Sequence, residues 1–434
     1  MGLDQKITNR QFAGLMAGAT FGSMFEWYDF FLASTAAATV WPKIFFPTHF
    51  DPVLALAVSV MGVGIGYFAR PVGAFVFGHL GDKYGRRNTL VWTLVMMGIS
   101  ALGTAILPPY ASIGILAVVL LFTLRFLVGF GVGGEAGGAW SWIAEAKPDP
   151  KHRAFWVSWP DAMLQAGKLL SIFAFFLAAY FLSSDAYVNW GWRIPFAAGA
   201  AMLLVGYVIR LKLMESPMFQ ELQAKRTVLK YPAVQVLKEQ GRKIFTMLWL
   251  NAYATAIPAL LILPYSVSYL VKLGANESFA TLSVTAGTAI ACTTVLGGAY
   301  ISDYVGRLKV VVVGAILTIV IMYPYFFLLN SLNPLWIIIA QMMIYGSVQL
   351  GSGALKGLFV ESFPTRYRYS GAGLTYTLGG LVTGGMAGIL LPVFLVTYGV
   401  IGSWQPVIWA SIGMTIMALV AVPFVKETRG IRLE

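Results

Sequence analysis

The stretch Gly78-His79-Leu80-Gly81-Asp82-Lys83-Tyr84-Gly85-Arg86-Arg87 (78–87) has an echo in the second half of the chain, AYISDYVGRLK at 299–309. Each copy follows a long apolar run and places an aspartate, Asp82 or Asp303, three residues before a Gly-Arg pair. A second matched element lies downstream of each copy: Glu145, Pro148 and Arg153 in one case, Glu361, Pro364 and Arg368 in the other. Agreement at both elements points to an internal duplication, a chain built as two like halves.

Outward from these landmarks the sequence is mostly apolar. A helix needs about 20 consecutive apolar residues to cross a bilayer. Twelve such spans are readable, near 12–40, 53–80, 88–107, 112–145, 153–182, 192–212, 243–271, 278–301, 309–330, 334–361, 367–399 and 402–425. The expected architecture is therefore an all-α integral membrane protein of twelve transmembrane helices in two pseudo-symmetric six-helix halves. Residues 1–212 form the first bundle, 213–242 a cytoplasmic linker loop, and 243–434 the second bundle. In such duplicated carriers the substrate sits between the halves near the bilayer midplane. Pro258, Pro264, Pro324 and Pro392 fall inside spans, where a missing backbone donor bends a helix.

Composition agrees. The 434 residues are 58% hydrophobic and only 11% charged, with a mean hydropathy of +0.75. A soluble domain carries about 25% charged residues, because water must wet its surface. The net charge of +12 would suggest nucleic acid in a soluble protein. Here the bases lie in short loops between apolar spans, so no nucleic-acid partner is expected and the charge is read as topology. With the N-terminus inside, Lys83, Arg86, Arg87, Arg307, Lys309, Arg366 and Arg368 gather on one side, against Lys43, Arg193 and Lys272 on the other. That asymmetry predicts a multi-pass protein of the cell (inner) membrane with both termini cytoplasmic. The opening MGLDQKITNR runs straight into the first span and reads as an uncleaved helix, not a secretory signal.

Several chemistries find no support in the residues. The single cysteine, Cys292, lies in an apolar span and reads as a buried inert thiol. Three histidines, His49, His79 and His152, stand in loop or interface positions, so no metal site is expected. No phosphate-cradling GxxxxGKS is present and no cofactor is implied. The run GVGGEAGG (131–138) sits inside a span and reads as close helix packing.

The inner-loop segment 78–87 resembles the signature of the major facilitator superfamily at every defining position, and 299–309 resembles a degenerate second copy. Further stretches resemble its metabolite:proton symporter branch, with the 2-oxoglutarate, shikimate, citrate and proline/betaine carriers. They are FEWYDFF (25–31), RPVGAFVFGHLGD (70–82), RFLVGFGVGGEAGGA (125–139), ESPMF (215–219) and ESFPTRYR (361–368). The resemblance covers the whole chain. It implies the major facilitator fold and a gate made by Asp82, Arg86, Glu145 and Arg153, with Asp303, Arg307, Glu361 and Arg368 as its second-half counterpart. In the family such contacts lock the outward-open state. The chain departs from the branch at Val128, Ala136, Lys168, Ser171 and Lys356, positions that bear on the substrate.

Charges inside spans are the candidate functional groups. An ionised side chain at mid-bilayer costs about 2.5 to 17 kcal/mol on contested scales, so it should face protein or water. Glu26, Asp29 and Glu135 are the acids of this set, and Arg70, Arg125, Lys168 and Lys356 the bases. Mutual pairing leaves one positive charge over, which suits a carboxylate substrate. Glu26 and Asp29 share a helix face, and two close carboxylates cannot both ionise cheaply. Asp29 is therefore the first candidate for proton coupling, with Glu135 and Glu26 beside it. Arg70 and Arg125 offer bidentate carboxylate recognition, or else a structural ion pair. Arg125 stands ten residues before Glu135, on roughly the same face. Lys168 and Lys356, from opposite halves, grip an anion from two sides or else snorkel to an interface. Gln165, Asn251 and Gln341 are polar groups in apolar spans and complete the candidate substrate contacts.

The function these residues favour is secondary active transport: proton-coupled uptake of a small organic anion or zwitterion by alternating access. The expected partners are a small-molecule substrate, a proton and membrane lipid, with the chain acting as a monomer. A proton-driven exporter of hydrophobic compounds in the same fold is the alternative, and four intramembrane bases fit it poorly. A membrane-embedded enzyme would show a catalytic cluster, and none is visible in the sequence.

Overall fold

Inside a bilayer no water is available to unpaired backbone amides, so an apolar chain that crosses it folds as helices that bond internally. The computed structural model describes residues 7–47, 49–146, 150–257, 265–382 and 404–433. Among the described residues, one principal helix falls at each of the twelve expected spans. The first six are α1 (Asn9–Thr39), α2 (Pro52–Tyr84), α3 (Arg86–Ile106), α4 (Ile115–Ala146), α5 (Arg153–Phe181) and α6 (Arg193–Leu211). The second six are α7 (Pro232–Ile257), α8 (Glu277–Val305), α9 (Arg307–Asn330), α10 (Pro334–Glu361), α11 (Arg368–Gly380) and α12 (Gln405–Ala421).

Among the described residues, nine of these are long and apolar enough to cross a membrane. The other three are diluted or cut short. Glu26 and Asp29 interrupt α1, the basic start of α7 carries Lys238, Arg242 and Lys243, and of the expected span 367–399 the part 383–399 lies outside the described residues. Pro258, Pro264 and Pro392 also lie outside them. Pro324 sits inside α9 as expected, and Pro71 lies inside α2 as well. Side-chain caps set the helix starts: Thr8 and Gln11 form a capping box on α1, and Asn333 accepts from Leu335 N ahead of Pro334 on α10.

The stretch 213–242 is not a plain loop. It holds a short helix, Pro217–Ala224, started by Ser216, and then the first turns of α7.

Glycine decides how closely the helices approach. A Cβ on Gly129 would stand 2.0 Å from Gly66 O, and one on Gly133 would stand 2.0 Å from Arg70 O. α4 therefore lies backbone-to-backbone on α2 at Gly129 and Gly133, while Gly137, later in the glycine run 131–138, lets α4 approach Gly373 of α11. The same close packing recurs between α8 and α10, where a Cβ on Gly353 would stand 2.0 Å from Val295 O. The halves meet chiefly where α11 packs on α2 and α4, and where α8 packs on α5. Large apolar side chains such as Ile99, Phe176, Leu204, Val320 and Phe327 stay exposed on the outer surface. A soluble monomer does not expose so much apolar surface; lipid covers it here.

Candidate functional site

The charged residues inside the spans are buried, and the helices deliver them in pairs. α1 presents Glu26 and Asp29 to α2 and α4. Arg70 Nη1 lies 3.2 Å from Glu26 Oε1, and Arg125 Nη1 lies 2.8 Å from Asp29 Oδ2. The two pairs differ in quality. Arg125 also donates to Thr104 Oγ1 at 2.6 Å, so its guanidinium is held from both sides. The Arg70–Glu26 contact lacks hydrogen-bond alignment, and both Glu26 oxygens accept no hydrogen bond among the described residues. Arg70 instead stacks over the Tyr67 ring, 4.4 Å from its centroid, with Phe30 at 5.8 Å. All four charged groups line one cavity of about 20 Å³ between α1, α2 and α4, large enough to admit water.

Glu135 does not join them. The face it shares with Arg125 fails to bring the two together, because Arg125 is taken by Asp29. Glu135 is bound instead by Arg210 of α6, through Nη1 at 3.0 Å and through Nη2, and it accepts from Thr93 Oγ1 at 2.8 Å. Arg210 also donates to Gly18 O at 2.8 Å, tying α6, α4, α3 and α1 together. Both side chains are fully buried.

Two lysines stand on the boundary between the halves, and neither snorkels. Lys356 of α10 reaches Asp161 of α5 at 3.3 Å and sits between the rings of Trp140 and Tyr376, 5.0 and 4.8 Å from their centroids. Lys168, two turns beyond Asp161 on α5, donates to Tyr345 OH of α10 at 2.8 Å and lies over the Phe31 ring at 4.9 Å. Glu26 is within electrostatic reach of Arg70, Glu135, Asp161 and Lys356, so it links the pairs into one central group. Gln165 and Asn251 border it: Asn251 Nδ2 donates to Tyr376 O at 3.1 Å, while Gln165 Oε1 and Asn251 Oδ1 accept nothing among the described residues. Gln341 is placed elsewhere. It bonds Tyr325 and Ser266 inside the second half, and among the described residues no hydrogen bond carries it to the boundary.

Sequence reading missed Asp161 and Arg210, both near the ends of their spans. Their inclusion gives four acids and five bases, and the excess of one cation stands. Lys168 is that cation: among the described residues it has no carboxylate within ion-pair distance.

At the basic-loop ends of the helices the two halves are locked by a pair of matched clusters. Asp82 accepts from the amides of Tyr369 and Ser370 at 3.2 and 2.8 Å, which open α11 of the other half. Asp303 accepts from Ala154 and Phe155 at 3.1 and 3.0 Å, which open α5. Each aspartate thus binds the positive end of a helix across the boundary. Arg86 forks onto Glu145 at 3.0 and 3.1 Å, and Arg307 forks onto Glu361 at 3.1 and 2.9 Å. The remaining arginines are exchanged relative to the sequence expectation. Arg368 bonds Glu145 at 2.9 Å, so it belongs with Asp82, and Arg153 bonds Glu361 at 3.0 Å, so it belongs with Asp303.

A further matched layer escaped the sequence reading. Glu215 accepts from the amides of Arg86 and Arg87 at 2.9 and 3.1 Å, and Glu427 from those of Arg307 and Leu308 at 2.9 and 3.0 Å. The neighbours Ser216 and Thr428 donate to Glu145 and Glu361 at 2.5 and 2.6 Å. Gly85 and Gly306, at φ +116° and +114°, make the sharp turns that expose those amides. Burial pushes the Glu215 carboxyl above its ordinary range, against the pull of the Ser216 amide and Arg86. At Glu427 burial acts the same way, but the amides of Arg307, Leu308, Arg429 and Thr428 outweigh it and hold the carboxyl below that range. The signal was present in the sequence, since Glu215-Ser216 follows α6 as Glu427-Thr428 follows α12.

This is the architecture of two helical bundles clasped at one end around a shared charged centre. A family described as "Sugar (and other) transporter" matches residues 15–252. The chain belongs to the major facilitator superfamily. Its relatives include the inner membrane metabolite transport protein YhjE of Escherichia coli K12, 30% identical over 96% of this chain and 94% of that one. The shikimate transporter of the same organism is 31% identical over 93% and 92%, and the proline/betaine transporter of Salmonella typhimurium is 31% identical over 89% and 81%. Among solved structures, the proton:xylose symporter XylE bound to a bromodeoxyglucose superposes with a TM-score of 0.82 at 18% identity, over 98% of both chains. At that identity the likeness speaks for the fold. This member of the superfamily is a multi-pass membrane transporter of metabolites and not an enzyme.

Proposed function

We propose that this transporter couples proton entry to the uptake of a small organic anion or zwitterion by alternating access. The observation that carries the reading is Lys168 at the boundary of the halves, bonded to Tyr345 OH and, among the described residues, without a carboxylate at ion-pair distance, beside the Lys356–Asp161 pair. A carboxylate placed between Lys168 of one half and Lys356 of the other touches both moving bodies, as alternating access requires. The printed names of the relatives, carriers of shikimate and of proline and betaine, point to the same substrate class.

In this reading a proton entering from outside neutralises Asp29 and releases Arg125, and Glu26 with its loosely held Arg70 responds in turn. Glu135, saturated by Arg210, serves as a tie within the first half. Substrate binding then discharges the excess cation, the halves rock, and the clasps around Asp82 and Asp303 break. The basic-loop side is taken as cytoplasmic, by the excess of Lys and Arg there, and 213–242 as the connector between bundles 1–212 and 243–434, working as a monomer. An exporter of hydrophobic compounds would not require the five intramembrane bases Arg70, Arg125, Lys168, Arg210 and Lys356. Purified protein in liposomes tests the reading: uptake of radiolabelled carboxylates should rise several-fold when the outside is made acidic. Uptake indifferent to the gradient contradicts it.

A further inference from the structure

On the basic-loop face, outside the central site, a cavity of about 410 Å³ opens between the start of α7, the end of α10 and the tail that follows α12. Ligand sites fall in the range of about 300–1,000 Å³. Three cations line it. Arg242 and Lys243 come from α7 and Lys426 from the tail, and Lys426 stands near enough to Lys243 to repel it. Neither lysine nor Arg242 has a carboxylate within ion-pair distance among the described residues. The two acids in the wall are already committed. Glu239 takes Arg366 at 3.0 Å and Tyr367 OH at 3.1 Å, and Glu361 takes Arg307, Arg153 and Thr428. Lys243 spends one N–H on Ser362 O at 3.0 Å and keeps the others.

Like charges held together without a counter-charge are costly, and an anion relieves the cost. We infer that this cavity binds a phosphate group, gripped between the Arg242 fork and the Lys243 and Lys426 ammoniums. A guanidinium and two ammoniums match the charge and the several acceptor oxygens of phosphate better than a single carboxylate. The apolar wall of Met247 and of Phe424, which is 67% exposed, gives glycerol and acyl carbons a place to lie. Such phosphate comes either from an anionic phospholipid headgroup or from a soluble ion, and the chemistry of capture is shared.

The site has a mechanical consequence. Thr428 and Ile431, in the same tail as Lys426, hold Glu361 and Arg153 of the clasp at 2.6 and 2.9 Å. A phosphate that ties Lys426 to α7 therefore holds the tail against the clasp and favours the closed basic-loop side. This inference stands apart from the transport reading, and each fails alone.

The test uses the full chain in nanodiscs of phosphatidylcholine, of phosphatidylcholine doped with phosphatidylglycerol, and of phosphatidylcholine with inorganic phosphate at constant ionic strength. The expected result is a rise in unfolding temperature of at least about 3 °C with phosphatidylglycerol. It should vanish in the Arg242→Gln/Lys426→Gln double variant and in Lys243→Gln, and persist in Lys225→Gln/Lys230→Gln on the same face. Protection by free phosphate that is lost in the same variants supports the site and assigns it a soluble ligand. Protection by neither source, or protection that survives in both the double variant and Lys243→Gln, overturns the inference.

Discussion

Arg153 of α5 and Arg368 of α11 are exchanged between the halves: Arg153 donates to Glu361 at 3.0 Å, and Arg368 to Glu145 at 2.9 Å. Each arginine follows its own helix turn and reaches the other bundle's glutamate, so closure of this face is written twice. All four side chains are buried, and in a dry site breaking one partner of an ion pair costs about 3–5 kcal/mol. The clasp is strong but divisible, because Arg86 and Arg307 keep each glutamate paired within its own half when the halves part.

The Arg153→Ala/Arg368→Ala variant should therefore fold yet favour the state open on this side. In a Cys292→Ser background, a cysteine at the buried boundary position Ala154 should react with a permeant maleimide at least about ten times faster than in the parent clasp, the factor for a shift of about 1.4 kcal/mol. Arg86→Ala should instead lower the unfolding temperature, since it removes the buried guanidinium that pairs with both Asp82 and Glu145 within one half.

Lys168 and Lys356 separate binding from stability. Lys168→Met strands only the Tyr345 hydroxyl, so stability should change little while KM for the transported anion rises about 10- to 150-fold, the worth of a charged hydrogen bond of about 1.5–3 kcal/mol. Lys356→Met leaves Asp161 buried and unpaired and should cost about 3–5 kcal/mol, much of it recovered in Lys356→Met/Asp161→Leu. Uptake kinetics and thermal unfolding on the same preparations distinguish the two.

Glu135 is expected to be structural. Glu135→Gln keeps the shape and some of the hydrogen bonds to Arg210, so the protein should unfold at a lower temperature but still concentrate substrate against its gradient. Complete loss of uphill transport at normal expression would return Glu135 to the coupling set.

The Glu427 carboxyl is held below its ordinary range, so its ionised form favours the folded state. That stability is present above the unfolded carboxylate range near 4.3 and is lost as pH falls through the lower folded value. Wild type should exceed Glu427→Gln in unfolding temperature at neutral pH, and the difference should close as the pH drops below about 4. Glu215 is displaced the other way by burial, so Glu215→Gln should gain on wild type as pH rises.

Much of the fold was legible because membrane helices announce themselves through uninterrupted apolar runs, and the duplicated Asp82 and Asp303 segments supplied the symmetry. Pairing was less legible. Arg125 and Glu135 share a face of α4, yet each bonds to a different helix, and helical spacing carries no information about which neighbour arrives. Asp161 and Arg210 were overlooked for a related reason: near the end of a span a charge reads as an interface residue until tilt and packing bury it. The exchange of Arg153 and Arg368 was invisible for the same reason that it matters, since it crosses the boundary between the halves. The excess of one cation survived these errors because the two missed residues carry opposite charges.

The central claim is that a proton taken up at Asp29 moves with the substrate. It is tested most directly by a pH electrode in a weakly buffered suspension of proteoliposomes to which a transported carboxylate is added. The account predicts that the medium turns alkaline as wild-type protein carries protons inward, and that Asp29→Asn gives no such signal while still exchanging labelled for unlabelled substrate. Alkalinisation undiminished in Asp29→Asn, or none in an actively accumulating wild type, would contradict it.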